Sequence, residues 1–368
     1  MTLAAMKYTG GANAILPVIA EARRNNIDST LYIDSDGSIT PSFYSYYTQC
    51  LSLGYLISFQ SQPKDTIRKT TFKVLLLSTD CFHESETNEK LVCEAQKLGI
   101  RVIIVQDFWG NHSYLPKDFR PDIICVQDFF AKNLVKSSWT NYDSNKIVIT
   151  GQPAFDYLGN INCSSARGEL RDKFELVEDW PIIHFSGGDF APEALAVTIE
   201  ALNIISQPVY FFIRHHPVLI SAKTNNYQKG IYEAYQVHLT KLQNGKVIDS
   251  GSVTTSETVN AAADITIGLS GTMLIQACYL DKTSIAVWTD EVKKNFFKAT
   301  GLNEFPPCIL GGCLRASNLT ELIQCLDKSL ARLRRPNLNP AKSRNNEYFK
   351  SDGQSAKRVF KVIKSFLC

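Results

Sequence analysis

Residues 261–280 read AAADITIGLSGTMLIQACYL, and the order of residue types in this stretch decides the fold class. Ile265, Ile267 and Leu269 give a buried strand, since apolar and β-branched residues at alternate positions suit a covered sheet. Ser270, Gly271 and Thr272 follow, and a helix carrying Gln276 in its first turns begins at once. A strand that ends in small residues before a helix aims backbone N–H groups and hydroxyls at one point. That point suits an anion such as a diphosphate.

The same plan extends outward in both directions. In WPIIHFSGGD (180–189) a strand runs into Ser186, Gly187 and Gly188, and PEALAVTIEALNII (192–205) is a helix with Leu195, Ile199, Leu202 and Ile205 on one face. VYFFIR (209–214), KVIDSG (246–251) and SIAVW (284–288) are further strands. Towards the N-terminus, a weakly apolar opening leads to Gly10-Gly11 and a helix from about Ala12 to Arg24. LYID (31–34), VLLLST (74–79), RVIIVQD (101–107), DIICV (122–126) and KIVITG (146–151) are strands, with a helix near 86–98. Strands separated by helical segments imply βαβ units and parallel sheets. The expectation is an α/β protein of two Rossmann-like, doubly wound domains facing a central cleft, where the C-terminal strand ends would gather ligands. Residues 1–160 form the first domain, 161–350 the second and 351–368 a C-terminal helix. The polar, turn-rich GNINCSSARG (159–168) marks the boundary.

Composition narrows the function. Net charge is +3 over 368 residues, which excludes a nucleic-acid binder held by overall electrostatics. The excess is local, because residues 327–368 hold eleven Lys or Arg against three Asp or Glu. That basic tail is read either as a solvated face packing back across the domain junction or as a peripheral contact with an anionic membrane. Ten cysteines without a CxxC pair, several in apolar runs, fit a reducing cytoplasm, and Cys308-x4-Cys313 lacks a second pair to complete a zinc site. Neither a signal peptide nor a membrane-spanning run is expected.

Several groups could carry chemistry. Gly10 and Gly11, with Asn13 just inside the helix, would let the backbone approach a ligand closely. Ser186, Gly187 and Gly188 are the equivalent turn of the second half. Arg214, His215 and His216 end an apolar strand, a placement suited to a phosphate clamp or to acid–base work. Asp80 ends the 74–79 strand and is either a general base or the cap of the next helix. Asp107 opens the cluster Asp107–His112, in which Trp109 either stacks on a sugar or fills the core.

Taken in order, GGANAILPVI (10–19), KIVITGQPAFDYL (146–158), RHHP (214–217) and SGTMLIQACYL (270–280) resemble the GT-B superfamily of nucleotide-sugar enzymes. The branch containing UDP-N-acetylglucosamine 2-epimerases and capsule or teichoic-acid type glycosyltransferases is the most similar. The resemblance implies that the second domain binds the nucleoside diphosphate through Ser270, Gly271 and Thr272. Gln276 falls where many relatives carry a glutamate on the ribose, and Asn13 near a place where many carry a histidine. It further implies transfer of a UDP-linked sugar to a glycan, lipid-linked or small-molecule acceptor, with Asp80, Asp107 and His216 as the catalytic groups and no cofactor or metal. The alternatives are a 2-epimerase or nucleotide-sugar hydrolase, and a glycerophosphate or polymer transferase. For an epimerase, Asp80 and Asp107 match two carboxylate positions, whereas SYLPKDFRPD (113–122) stands in place of a Pro-Glu-Glu segment.

Overall fold

The structure is a computed structural model. It describes residues 2–7, 9–33, 56–58, 67, 72–83, 86–187, 192–215, 219, 226–251, 253–334, 348–349 and 351–367. The chain divides into two compact units, Met1–Tyr157 with Asp352–Cys368, and Leu158–Ser351.

The first unit holds β1 (Thr2–Met6), β2 (Ser29–Ile33), β3 (Leu56–Ser58), β4 (Val74–Ser78), β5 (Arg101–Val105), β6 (Ile123–Val126) and β7 (Ile147–Ile149). They pair in the order β3-β2-β1-β4-β5-β6-β7, every pair parallel. The order changes direction between β1 and β4, which makes that junction the topological switch point. The weakly apolar opening is therefore the centre of the sheet, and Leu3, Ala4, Ala5 and Met6 are wholly buried. Helix α1 (Thr9–Arg24) begins earlier than its periodicity suggested and takes Gly10 and Gly11 into its first turn. Its buried face runs through Ala12, Ile15, Ile19 and Ala22. Asn26, at φ 58°, ends it by a Schellman closure: Ile27 donates to the Ala22 carbonyl at 3.0 Å and Asn26 to that of Arg23 at 2.9 Å. Helices α2 (Glu86–Lys97) and α3 (Phe129–Ser138) connect the next strands.

The second unit has β8 (Ile182–Ser186), β9 (Val209–Arg214), β10 (Gly245–Asp249), β11 (Ile265–Gly268), β12 (Thr283–Val287) and β13 (Leu314–Ala316) in the parallel order β10-β9-β8-β11-β12-β13. Around them lie α4 (Cys163–Lys173), α5 (Pro192–Ile204), α6 (Asn226–Leu239), α7 (Ser256–Ala262), α8 (Thr272–Tyr279), α9 (Asp290–Thr300), α10 (Pro306–Ile309) and α11 (Leu319–Leu333). Alternation along β9 sends Phe211 to a core with α5 and α11, and Phe212 to a core with α4 and α7. Asp264 holds the strand starts in register by accepting from the Ile182 amide and from Arg167, both at 2.8 Å.

The last helix, α12 (Ser355–Lys364), belongs to the first unit. Val359, Phe360 and Ile363 share a core with Ile15, Val18 and Ile19 of α1. Asp156 caps it from outside by accepting from the Ser355 and Ala356 amides at 3.0 and 2.7 Å, and Arg358 reaches the Thr150 carbonyl at 2.6 Å. The apolar face of this helix is thus packed on protein, and Lys357, Lys361 and Lys364 are exposed. Among the described residues, no helix is long and apolar enough to cross a membrane.

Candidate active site

Two carboxylates meet at the switch point of the first sheet. Beyond β4 the chain makes a 3-10 turn over Thr79–Phe82, which sets Asp80 beside the first turn of α1. Its Oδ2 accepts from the Gly11 amide at 2.6 Å, and its Oδ1 accepts from the Ser78 hydroxyl. Asp107 follows the neighbouring strand β5. It accepts from the Thr79 hydroxyl and from the Asn111 side-chain amide at 3.2 Å, while Gln152 holds its carbonyl at 2.8 Å. The place where Gly10 would carry a Cβ lies 3.7 Å from Asp107 Oδ2 and 3.8 Å from Asp80 Oδ2. Gly10 itself is exposed, so the pair opens to solvent beside that residue.

Electrostatics follow from this crowding. Burial raises the Asp80 carboxyl most, and the Asp107 charge adds to it. The opposing Ser78 and Gly11 hydrogen bonds are outweighed, and the pKa stands at about 8. Burial likewise raises Asp107, against the Thr79 and Asn111 bonds. Each carboxylate thus disfavours ionisation of the other, which is the arrangement in which two neighbouring acids take different protonation states. Tyr114, in the 3-10 turn Asn111–Tyr114, is raised by burial and then by both carboxylates. Lys7 follows β1 directly and sends its ammonium to the His83 carbonyl at 3.0 Å. Sequence reading passed over Tyr114 and Lys7. For Lys7 the signal was its position immediately after the central strand; for Tyr114, seven residues past Asp107, sequence carried none.

The other aromatic and imidazole groups of this loop are structural. The Trp109 indole donates to Asp128 at 2.9 Å in the core, so Trp109 is not the sugar platform that its loop position suggested. Burial lowers His112 to about 4, which leaves a neutral ring 3.2 Å from Gln106. A cavity of ≈ 560 Å³ opens at the other end of this sheet, before β5 and β6. Its Arg101 and Asp122 are already paired at 2.8 Å, and its Arg120 is bound to the Lys117 and Phe119 carbonyls.

In the second unit, register puts Ser186 beside Arg214 on one side and Gly268 on the other, all at C-terminal strand ends. Only glycine fits at 268, because a Cβ there would come within 2.8 Å of the Ser186 carbonyl. Gly187 follows Ser186, whereas Gly188 and His216 lie outside the described residues. Helix α8 starts at Thr272 with Gly271 as its cap, and Gly271 brings no side chain to its N-terminus. Ser270 is half-buried, and Gly271 and Thr272 are exposed.

Three expected contacts take a different form. Arg214 donates to the Gly251 carbonyl at 2.7 Å and to that of Thr254, so it shapes the turn after β10. His215 is buried edge-on to Tyr232 and Tyr235, with Nε2 3.2 Å from Gln236 and 3.8 Å from Asp249. Burial lowers its pKa, against the opposing charge of Asp249, and the ring is packed on the two tyrosines. Gln276 is buried in α8 and does not face solvent. Asn13 is half-buried one turn into α1. No metal cluster of three or more His, Cys, Asp or Glu occurs among the described residues.

No protein-family model matches this chain, and neither does any curated protein sequence. Solved structures do. A glycosyltransferase from Rickettsia africae superposes with a TM-score of 0.66 at 13% identity, covering 100% of this chain and 98% of that one. The S. aureus MnaA structure with UDP gives 0.68 at 12% identity, covering 100% and 96%. This chain has the GT-B fold. A UDP-GlcNAc 2-epimerase from Neisseria meningitidis, bound to UDP-GlcNAc, shares it at a TM-score of 0.65 and 15% identity, with 99% of each chain covered. The GT-B fold is thus common to transferases and epimerases, and it leaves the reaction to be argued from the site.

Proposed function

We propose that this GT-B protein is a glycosyltransferase that moves a sugar from a nucleoside diphosphate, UDP-linked, to a hydroxyl acceptor in surface polysaccharide or glycoconjugate synthesis. The observation that carries the reading is Asp80, a buried carboxylate at a switch point with a pKa of about 8. A base that titrates near working pH is well matched to taking a proton from a hydroxyl as it attacks. Asp107 tunes Asp80 through its charge, and the Gly11 amide orients it. The strand-end residues Ser186 and Ser270 and the first turn of α8 are the groups suited to the leaving diphosphate, which developing negative charge would strengthen. A cytoplasmic setting belongs to the reading, supported by the free thiols of the described cysteines.

A second reading, 2-epimerisation or hydrolysis of the nucleotide sugar, draws on the pairing of Asp80 with Asp107, because elimination needs an acid as well as a base. Against it, of the carboxylates in the 113–122 segment Asp118 is exposed and Asp122 is paired with Arg101 at the other end of the sheet, so no third carboxylate joins the pair from there. Incubating the protein with UDP sugars, with and without an acceptor pool, tests both. Sugar transfer that requires acceptor supports the first reading. Epimer or free sugar formed without acceptor overturns it in favour of the second.

A further inference from the structure

Cys308 and Cys313 sit on a turn that holds them together. After α10 the chain folds back: the Gly312 and Cys313 amides both donate to the Pro307 carbonyl, at 2.9 and 3.0 Å, and Gly311 closes on Cys308 at 3.2 Å with φ +75°. Both thiols are directed at one acceptor, the Leu314 carbonyl, at 3.3 Å from Cys313 and 3.9 Å from Cys308. Cys313 is buried and accepts from the Ser284 hydroxyl at 3.2 Å, whereas Cys308 is half-buried. A third thiol, Cys278 of α8, donates to the Gly312 carbonyl at 3.2 Å, so the turn is also fastened to that helix.

We propose that Cys308 and Cys313 are an oxidisable dithiol, which closes to an intramolecular disulfide by exchange with a small disulfide of the glutathione type. An accessible thiol paired with a shielded one gives the two roles that exchange requires. The Cys308 sulfur, as thiolate, attacks one sulfur of oxidised glutathione and expels a glutathione thiolate. The Cys313 sulfur then attacks Cys308 Sγ and expels the second. The protein loses two electrons and two protons, and one oxidised glutathione becomes two reduced ones. The Cys308 thiol is held well above its ordinary range, first by its hydrogen bond with Cys313 and then by burial. Exchange is therefore slow at neutral pH and faster in mild alkali.

The tryptic peptide Ala299–Arg315 contains both cysteines and no other, which makes the test direct. The full-length protein is incubated with oxidised glutathione at rising pH, alkylated without reduction, digested and weighed. The expected peptide carries no alkyl group and is lighter by two hydrogens than its unalkylated dithiol form, and Cys278→Ser keeps that change. Cys308→Ser abolishes it, and Cys313→Ser traps glutathione on Cys308. The exposed Cys93 reports that the reagent is active. A wild-type peptide that stays fully reduced while Cys93 reacts, or that retains a bound glutathione, overturns the proposal. Both readings come from the wild-type protein, so they stand even if a variant fails to fold.

Discussion

The Gly11 amide donates to Asp80 at 2.6 Å across 69 residues of sequence. The first turn of α1 therefore closes on a carboxylate of its own chain, where a glycine-rich turn at a helix start had suggested the close approach of a ligand. A helix N-terminus ordinarily favours the ionised form of an acid. At Asp80 that preference loses to burial and to Asp107, which yields a carboxyl that is both held in place and reluctant to ionise.

Replacing Gly11 with alanine should be far more damaging than replacing Gly10. A Cβ at Gly11 overlaps Asp80 and Ser78, whereas one at Gly10 makes ordinary contacts. The expected cost at Gly11 is about 1–3 kcal/mol, with activity lost as Asp80 is displaced. Thermal unfolding of the two variants measures the contrast, and equal midpoints would contradict the packing described.

Asp80→Asn should stabilise the protein in alkali while removing activity. A carboxyl whose folded pKa is raised from 3.8 to about 8 contributes stability that is complete below its unfolded pKa and is lost as pH rises through its folded one. The variant escapes that loss, and its amide can still pair with Ser78 and Gly11. Its midpoint should match the parent's near pH 4 and exceed it by about 2–4 °C at pH 8. A difference independent of pH would show that Asp80 is not the titrating group.

The same carboxyl sets a pH profile. If Asp80 acts as a base, kcat/KM rises towards a plateau above about pH 8, and the rise disappears in Asp80→Asn. A profile that falls above pH 8 would assign Asp80 the acid role and favour the elimination chemistry of an epimerase.

Acid should loosen both units. His112 in the first and His184 in the second are buried and lowered to about 4, chiefly by burial. Depressed histidines contribute stability that is present above pH 6.5 and is lost as pH falls towards 4, up to about 3 kcal/mol apiece. Urea unfolding at pH 7 and pH 4.5 should show the drop, and His184→Gln should shrink it for the second unit.

The long apolar runs were the legible part. VLLLS and RVIIV read directly as covered strands, and the strand–turn–helix order gave both sheets. What escaped has physical reasons. Residues Thr2–Met6 look weakly apolar because alanines suffice where helices press closely on a central strand. The short strands Leu56–Ser58 and Leu314–Ala316 carry too few residues for a period to register. Among candidate site residues, Asp80 and Asp107 were visible as acids at strand ends, yet their convergence on Gly10 depends on β4 and β5 being neighbours. His215 and Trp109 went the other way, since sequence shows a polar atom but not the ring packing that engages it.

The capping of α12 by Asp156 joins residues some two hundred positions apart within one unit. A ribosome releases the chain in order, so the first sheet is made long before the helix that covers α1. Until Ser355–Lys364 emerges, the groove for Val359, Phe360 and Ile363 stays open on the nascent chain. The intervening unit, Leu158–Ser351, is continuous and can complete itself first. Residues that emerge after the second unit are thus the ones that finish the unit begun before it, and losing them to a premature stop would harm a part of the fold encoded far upstream of the mutation.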